Sequence, residues 1–466
     1  MTIVHYPFEP YDLSPLDHTA PIFLYVGQAL CFRLSRPDEG VPVLRAAVAR
    51  LASSLPFLTG IIAPSRPYTG KKGVTQVLPD PNISHPDQLL AIQHCPHLSL
   101  LENSTARENE KSYLGQILED IIPAGIGQSD RHRVIYFQAN VVSDGIILSI
   151  IFNHRAVDGP GIGTIIEALS VCCRTPDTTK LPDLPTTAEA ECHTRKLIFA
   201  AGEAAYFNRG EEDKSQSAPA LGSGDMAKFV NGSLVAMDYL FSNSKLEALK
   251  HRCNTLLGGS YFVSTDDILT AVIWACLAPF SSRVDEKGQQ VCVFGRAVST
   301  RARMDPPVSP KYVGNCVTLV KHTRSMTDLR YPNVGINADE GATELLHSLV
   351  GVARQLRSTL STVNAEYVGQ ILADVMSAPD WDSMTIQAPD VAVSSLRGLD
   401  VYAQDFGPVL GRMDNFEVLP MVSGLCSCTI KPRRQVHQGW EVRMYLTAEA
   451  VARLRENQLF VSLLKD

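Results

Sequence analysis

The chain lacks a surplus of positive charge. Its 466 residues carry 42 Lys and Arg against 49 Asp and Glu, giving a formal net charge of −7. A nucleic-acid-binding protein shows a basic face, so that class is set aside, while a small anionic ligand needs only a local basic patch. Long hydrophobic runs are missing too: the longest, "ILTAVIWACLAPF" at 268–280, is too short to span a bilayer. The opening "MTIVHYPFEPYDLSP" has neither a basic n-region nor an apolar h-region, so no secretory leader is expected. Cysteine is present without the pattern of a disulfide framework. Eleven residues, an odd number scattered along the chain, fit free thiols in a reducing compartment. The expectation is a soluble, cytoplasmic monomer in which the sequons at Asn82, Asn103 and Asn231 are chance matches.

What is there is an ordinary globular composition, 45% hydrophobic and 20% charged, at a length that exceeds one compact core. Two domains are expected. Residues 174–196 are polar and proline-bearing, and 209–225 are acidic and rich in Gly and Ser. The stretch 174–225 therefore reads as a crossover between an N-terminal domain, 1–173, and a C-terminal domain, 226–466. Residues 43–60 have helical spacing and end in a Pro and a Gly. Residues 133–154 read as a hairpin turned at Ser143-Asp144-Gly145. Ser- and Thr-capped helices follow in "SNSKLEALKHRCN" and "STDDILTAVIWACLAPF", and the chain closes with a strand, a Thr447 cap and a helix. Strands and helices mixed in both halves without strict alternation predict an α/β or α+β fold.

The chemistry concentrates in "IILSIIFNHRAVDGPGIG" at 146–163, where an apolar strand ends in Asn153-His154 and Asp158-Gly159 follows one turn later. Alone, H-x-x-x-D is a weak signal, because Asp158 or Gly159 also serves as the N-cap region of a helix that starts at Pro160. Its setting points to function: a strand end followed by a Gly-bearing turn holds an imidazole rigidly at the mouth of a cleft. That side chain titrates near neutral pH and can accept a hydroxyl proton. A second motif lies in "VSSLRGLDVYAQDFGPVLGR" at 393–412, with Asp405-Phe406-Gly407. A protein kinase is excluded, because no Gly-rich loop, H-R-D loop or β3 Lys motif precedes it.

H-x-x-x-D-G in the first half together with D-F-G near the C-terminus resembles the BAHD acyltransferases, which move an acyl group from coenzyme A to a hydroxyl or amine. "LSPLDH" at 13–18, "STDDILTAVIWACL" at 264–277 and "VSTRARMDPPVSPKYVGNC" at 298–316 are similar to further segments of that family, in family order. The spacing "DFGPVLG" is closer to the fungal branch, which includes trichothecene 3-O-acetyltransferase, than to the plant form. The resemblance implies two similar chloramphenicol-acetyltransferase-like domains, each a mixed β-sheet flanked by helices, with a channel between them. It implies acyl-CoA as cosubstrate, acetyl-CoA first among the donors, and a small-molecule alcohol, or an amine, as acceptor.

Carried over residue by residue, His154 corresponds to the catalytic base, and Asp158 with Gly159 to the structural turn. The Asp158 partner is expected to be Arg301, with Arg303 second. Ser394 and Ser395 stand where the family often has Thr-Ser-Trp, and Leu396 and Pro408 replace family tryptophans. An oxyanion contact therefore falls to Ser394, Ser395 or a backbone N–H. Asp405, Phe406 and Gly407 shape a loop at the coenzyme-A mouth, and Arg412 is the phosphate candidate. Lys431, Arg433 and Arg434 read as a solvated hairpin loop, with a coenzyme-A phosphate contact as the alternative. No metal is implied: His94, Cys95 and His97 lack a second ligand pair, and "GSGDMA" at 222–227 has no strand before it. Two other readings stay open: a carrier-protein-dependent condensation domain, which usually shows H-H-x-x-x-D-G where this chain has Asn153, and a repurposed relative.

Overall fold

The computed structural model describes residues 7–465 apart from 66–69, 101–119, 125, 127–130, 176–182, 210–233, 260, 282, 339–340, 420–426 and 435–438. The N-terminal half runs through β1 (Tyr11–Asp12), β2 (Tyr25–Arg33), α1 (Pro37–Ser54), β3 (Gly60–Pro64), β4 (Thr75–Pro79), β5 (Leu90–Cys95), β6 (His132–Arg133), β7 (Ile135–Val142), β8 (Gly145–Asn153) and α2 (Gly159–Arg174). Next come α3 (Ala188–Asn208), β9 (Leu234–Ser242), α4 (Asn243–Leu256), α5 (Thr265–Leu277), β10 (Val291–Ser299) and β11 (Val317–Ser325). The chain continues with α6 (Ala342–Thr362), α7 (Ala365–Ser377), β12 (Val391–Ser395), α8 (Gly407–Leu410) and β13 (Asn415–Leu419). It closes with β14 (Ser427–Ile430), β15 (Gly439–Thr447), α9 (Ala448–Glu456) and α10 (Gln458–Leu463).

Two mixed sheets flanked by helices dominate. One has the order β13-β2-β8-β7-β5 and the other β11-β10-β12-β14-β15-β9, with a small sheet β1-β4-β3-β6 beside the first. β8 reads as one apolar run because both its faces are covered. Ile146, Leu148, Ile150 and Phe152 join the core under α1 and α2, and Ile147 and Ile151 join a second cluster behind the sheet. The hairpin turns on Ser143-Asp144 alone. Gly145 is already the first residue of β8, where a side chain would run into the Phe32 carbonyl oxygen of β2. Helix starts follow their caps: Ser264 and Asp267 form a reciprocal capping box on α5, and Thr447 Oγ1 accepts from Ala450 N–H at 3.2 Å on α9.

Two features are not visible in the pattern of the chain. The 174–225 stretch is not irregular throughout, since α3 occupies 188–208 and lies against α7. Its pattern is hidden because Glu191, Thr194 and Arg195 are among its buried residues, so polar positions stand where apolar ones were sought. The C-terminal half also does not stay within its own sheet. β13 pairs antiparallel with β2 and forms the edge of the N-terminal sheet, with Phe416 and Val418 in the N-terminal core. The ten described cysteines are free thiols, and no helix of the described residues is long and apolar enough to cross a membrane.

Candidate active site

His154 follows β8 directly and is held by backbone on both sides. Its N–H donates to Leu24 O at 2.8 Å, and the buried Asn153 side chain ties the turn together, donating to Ile22 O and accepting from Arg155 N–H at 3.0 Å. Protein packs around the imidazole, although the residue as a whole is not fully buried. Burial lowers its pKa below the usual 6.5, opposed by the Asp158 carboxylate. A neutral ring is therefore the resting form at neutral pH. Nδ1 is buried without a hydrogen-bond partner among the described residues.

Asp158 turns away from the imidazole to do structural work. As N-cap of α2 its Oδ1 accepts from Gly161 N–H at 2.8 Å. Arg301 binds both of its oxygens, Nη1 to Oδ2 at 2.8 Å and Nη2 to Oδ1 at 2.7 Å, and Cys316 N–H donates to Oδ2 at 2.8 Å. The remaining N–H capacity of Arg301 goes to the Tyr312 and Gly314 carbonyls at 2.8 Å and 3.0 Å, and the adjacent carboxylate raises its pKa although burial opposes this. Arg303 lies elsewhere, donating to Leu360 O and Val363 O.

The loop 312–316 is the hub that joins the halves, a role absent from the sequence reading. Three carboxylates from earlier in the chain accept its backbone N–H groups: Glu191 of α3 from Val313 at 3.1 Å, and Asp17 and Asp158 of the N-terminal half from Asn315 at 2.8 Å and from Cys316. The segments "LSPLDH", "HRAVDG" and "KYVGNC" thus meet at one loop, and spatial proximity rather than spacing makes them a unit. Arg155, next to His154, is buried as well; it donates to Ala20 O at 2.9 Å and to Asp382 at 2.6 Å, clamping the turn to 380–386.

The second motif splits between the two ends of α2. A side chain at Gly159 would lie 3.1 Å from Leu396, so the end of β12 packs on the His154 turn. Ser395 there donates to Asp266 Oδ2 at 2.9 Å, whereas the Ser394 hydroxyl has no protein partner among the described residues. The chain then follows α2 toward its C-terminus, where Gln404 meets Ser170 and the Asp405 carbonyl accepts from Arg174. Asp405-Phe406-Gly407 lies there, fourteen residues from Gly159, about 21 Å along the helix. Phe406 packs edge-on against Phe32 at 4.9 Å in the N-terminal core, and Asp405 Oδ1 caps Gly407 N–H at 2.9 Å. Gly407 has φ +88, which a residue with a side chain adopts only with strain, and its Cβ would meet the Cys173 carbonyl.

Arg412 is exposed beyond this loop, with no ion-pair partner among the described residues. Lys431 corrects the expected solvated loop: it is 2% exposed and sits 3.0 Å from Glu417 and 3.1 Å from Asp238. His94 and His97 are exposed, and no group of three His, Cys, Asp or Glu among the described residues is placed to hold a metal ion.

The Transferase family model matches residues 115–461, and the trichothecene 3-O-acetyltransferase-like N-terminal domain matches 24–173. O-acetyltransferase cpsE of Aspergillus campestris is 30% identical, covering 97% of this chain and 95% of that protein. Fumigaclavine B O-acetyltransferase easN of Aspergillus fumigatus is 29% identical over 97% of each. The TRI101 structure from F. sporotrichioides, solved with coenzyme A and T-2, superposes with a TM-score of 0.74 at 22% identity, covering 98% of this chain and 99% of that one. That likeness establishes the fold, and the family match extends over most of the sequence. The chain belongs to the BAHD-type Transferase family and is an acyltransferase.

Proposed function

We propose that the chain transfers an acetyl group from acetyl-CoA to a hydroxyl of a small secondary metabolite, by direct transfer in a ternary complex within a channel between the two halves. The observation that carries this reading is His154: a neutral imidazole fixed by backbone on a turn whose only carboxylate is fully engaged by Arg301 and two backbone N–H groups. In this scheme His154 Nε2 removes the acceptor proton as the oxygen attacks the thioester carbonyl. The tetrahedral oxyanion collapses, the C–S bond breaks, and the thiolate takes the proton back from the imidazolium. Ser394, with its unengaged hydroxyl, suits an oxyanion donor better than Ser395, which is occupied by Asp266. Asp405, Phe406, Gly407 and the exposed Arg412 are read as the outer, phosphate-facing part of the donor site. Coenzyme A in the superposable TRI101 structures and the O-acetyltransferase names of the relatives support the donor and the acetyl group.

The test pairs a variant with kinetics. His154→Ala keeps the melting temperature and loses roughly 10²–10⁴-fold in kcat. In the wild type, kcat/KM holds as the pH falls through 6.5 and drops only below it, because burial lowers the pKa of the base. Intersecting double-reciprocal lines are expected when both substrates vary. A variant with more than about a tenth of wild-type kcat removes His154 from the mechanism, and parallel lines with a stable acetyl adduct abolished by Ser394→Ala replace direct transfer with a covalent route.

A further inference from the structure

The base of the proposed mechanism lacks the tie that orients its counterpart in a Ser-His-Asp site, where a carboxylate holds the second ring nitrogen. His154 Nδ1 has no hydrogen-bond partner among the described residues, and Asp158 is consumed by Arg301 and backbone N–H groups. The ring is therefore placed by its neighbours in sequence. Three alternate carbonyls of the 20–24 segment receive the turn: Ala20 O accepts from Arg155 Nε at 2.9 Å, Ile22 O from Asn153 Nδ2 at 2.6 Å, and Leu24 O from His154 N–H at 2.8 Å.

Arg155 carries this turn across to the C-terminal half. Its side chain is 1% exposed, and Nη1 donates to Asp382 Oδ1 at 2.6 Å, although the Asp382 side chain is itself 49% exposed. A half-exposed carboxylate is well hydrated when it turns outward; this one points inward, because a buried cation needs its counter-charge. Burial lowers the Arg155 pKa, and Asp382 is the foremost of the carboxylates opposing it. The segment that bears Asp382 is firmly seated. Trp381 is fully buried and meets His18 edge-on at 4.7 Å. Its N–H donates to Lys72 O at 3.0 Å, Lys72 N–H donates to Pro379 O at 2.9 Å, and Ile386 N–H donates to Thr19 O at 2.9 Å. Asp382 N–H in turn donates to Asp380 Oδ1 at 3.0 Å.

We propose that Asp382 is a positioning residue for catalysis, holding His154 in register with the reacting atoms through Arg155. This rests on the reading of His154 as general base. The His154 turn hangs between two ion pairs that cross between the halves, Asp158–Arg301 at the start of α2 and Arg155–Asp382 beside the ring. In the first, both carboxylate oxygens are closed off by the guanidinium and by the N–H groups of Gly161 and Cys316. The second is one contact, and its loss frees the residue next to the base. Proton abstraction needs heavy atoms about 2.6–3.2 Å apart, and a misplacement of about 1 Å costs roughly 10²-fold in rate.

Two readouts separate positioning from stability. Wild type, Asp382→Ala, Asp382→Glu and the double variant Arg155→Met with Asp382→Ala are compared by melting temperature and by thiol release from acetyl-CoA, with cyclohexanol as the probe acceptor. Asp382→Ala should lose roughly ten- to hundredfold in kcat with the KM for acetyl-CoA unchanged, and Asp382→Glu should regain part of the loss. Asp382→Ala also strands a buried guanidinium and lowers the melting temperature. The double variant strands no charge, so it should recover that temperature while kcat stays low. If kcat recovers together with the melting temperature, Asp382 serves stability alone and the proposal falls. NMR of histidine labelled with carbon-13 at Cε1 reads the ring without turnover. The His154 signal, identified by its absence in His154→Ala, should shift or broaden in the double variant while that of His322, buried beside Trp274 in the C-terminal half, stays in place. An unmoved His154 signal overturns the proposal. A His154→Ala chain that keeps wild-type kcat overturns the general-base reading instead, an outcome distinct from a variant at Asp382 matching the wild type.

Discussion

Asp158 shows how one side chain secures a neighbour's chemistry without touching substrate. Its two oxygens receive the Arg301 guanidinium and the N–H groups of Gly161 and Cys316, which leaves no lone pair directed at His154. The carboxylate acts on the imidazole only through its field, raising the pKa that burial lowers. Both partners of the pair are buried, so removing one strands a charge, at a cost of about 3–5 kcal/mol. Asp158→Asn and Arg301→Met should each lower the melting temperature, and the double variant should lose less than the sum. Additive losses in that cycle would show that the two side chains stabilise the fold independently.

At the scale of elements, α2 is the part that positions the site. Its N-terminus carries Asp158 and the His154 turn, and its first turn fits against the loop 312–316 because Gly161 has no side chain: a Cβ there would collide with the Val313 carbonyl oxygen. In an exposed helix, exchanging Gly for Ala gains about 1 kcal/mol. Here the obstacle is backbone, on a loop held by Glu191, Asp17 and Asp158, and overpacking costs about 1–3 kcal/mol or more. Gly161→Ala should therefore destabilise the chain by about 2 kcal/mol in denaturant titration and lower kcat through displacement of the turn. An unchanged or raised unfolding midpoint would mean that the loop yields freely and does not fix α2.

At the scale of the whole molecule, β13 binds the two halves into one unit. Its strand belongs to the N-terminal sheet, while Glu417 at its centre reaches the C-terminal sheet and meets Lys431 at 3.0 Å together with Arg443. Arg443 also binds Asp238 at 2.7 Å and donates to Val418 O at 2.8 Å. Two carboxylates and two cations balance in the interior. Burial raises the Glu417 pKa against the pull of Lys431 and Arg443, and those two cations hold Asp238 down at about 2 although burial opposes them. Lys431→Met leaves the buried Glu417 and the partly buried Asp238 facing one cation, and a loss of about 3–5 kcal/mol is expected. Lys431→Met with Glu417→Gln should regain part of it, as read by melting temperature. A single Lys431→Met variant as stable as the wild type would place the junction's stability in apolar packing alone.

The sequence by itself determined the elements whose signals are local. The β7–β8 strands, the caps at Ser264 and Thr447, and the helix opened by Asp158 follow from apolar runs and from polar side chains that satisfy nearby backbone N–H groups. Motif order also sufficed for the family, because those residues follow one another along the chain. Only the tertiary structure decided what depends on distant partners. Lys431 reads as a loop cation until Glu417 and Asp238 are brought to it, and α3 reads as linker until its buried Arg195 and Glu191 are seen to face the core. The hub at 312–316 and the passage of β13 into the other sheet likewise have no spacing signature. Burial and ion pairing are properties of three-dimensional neighbourhoods, and residues more than a hundred positions apart acquire them only when the chain has closed.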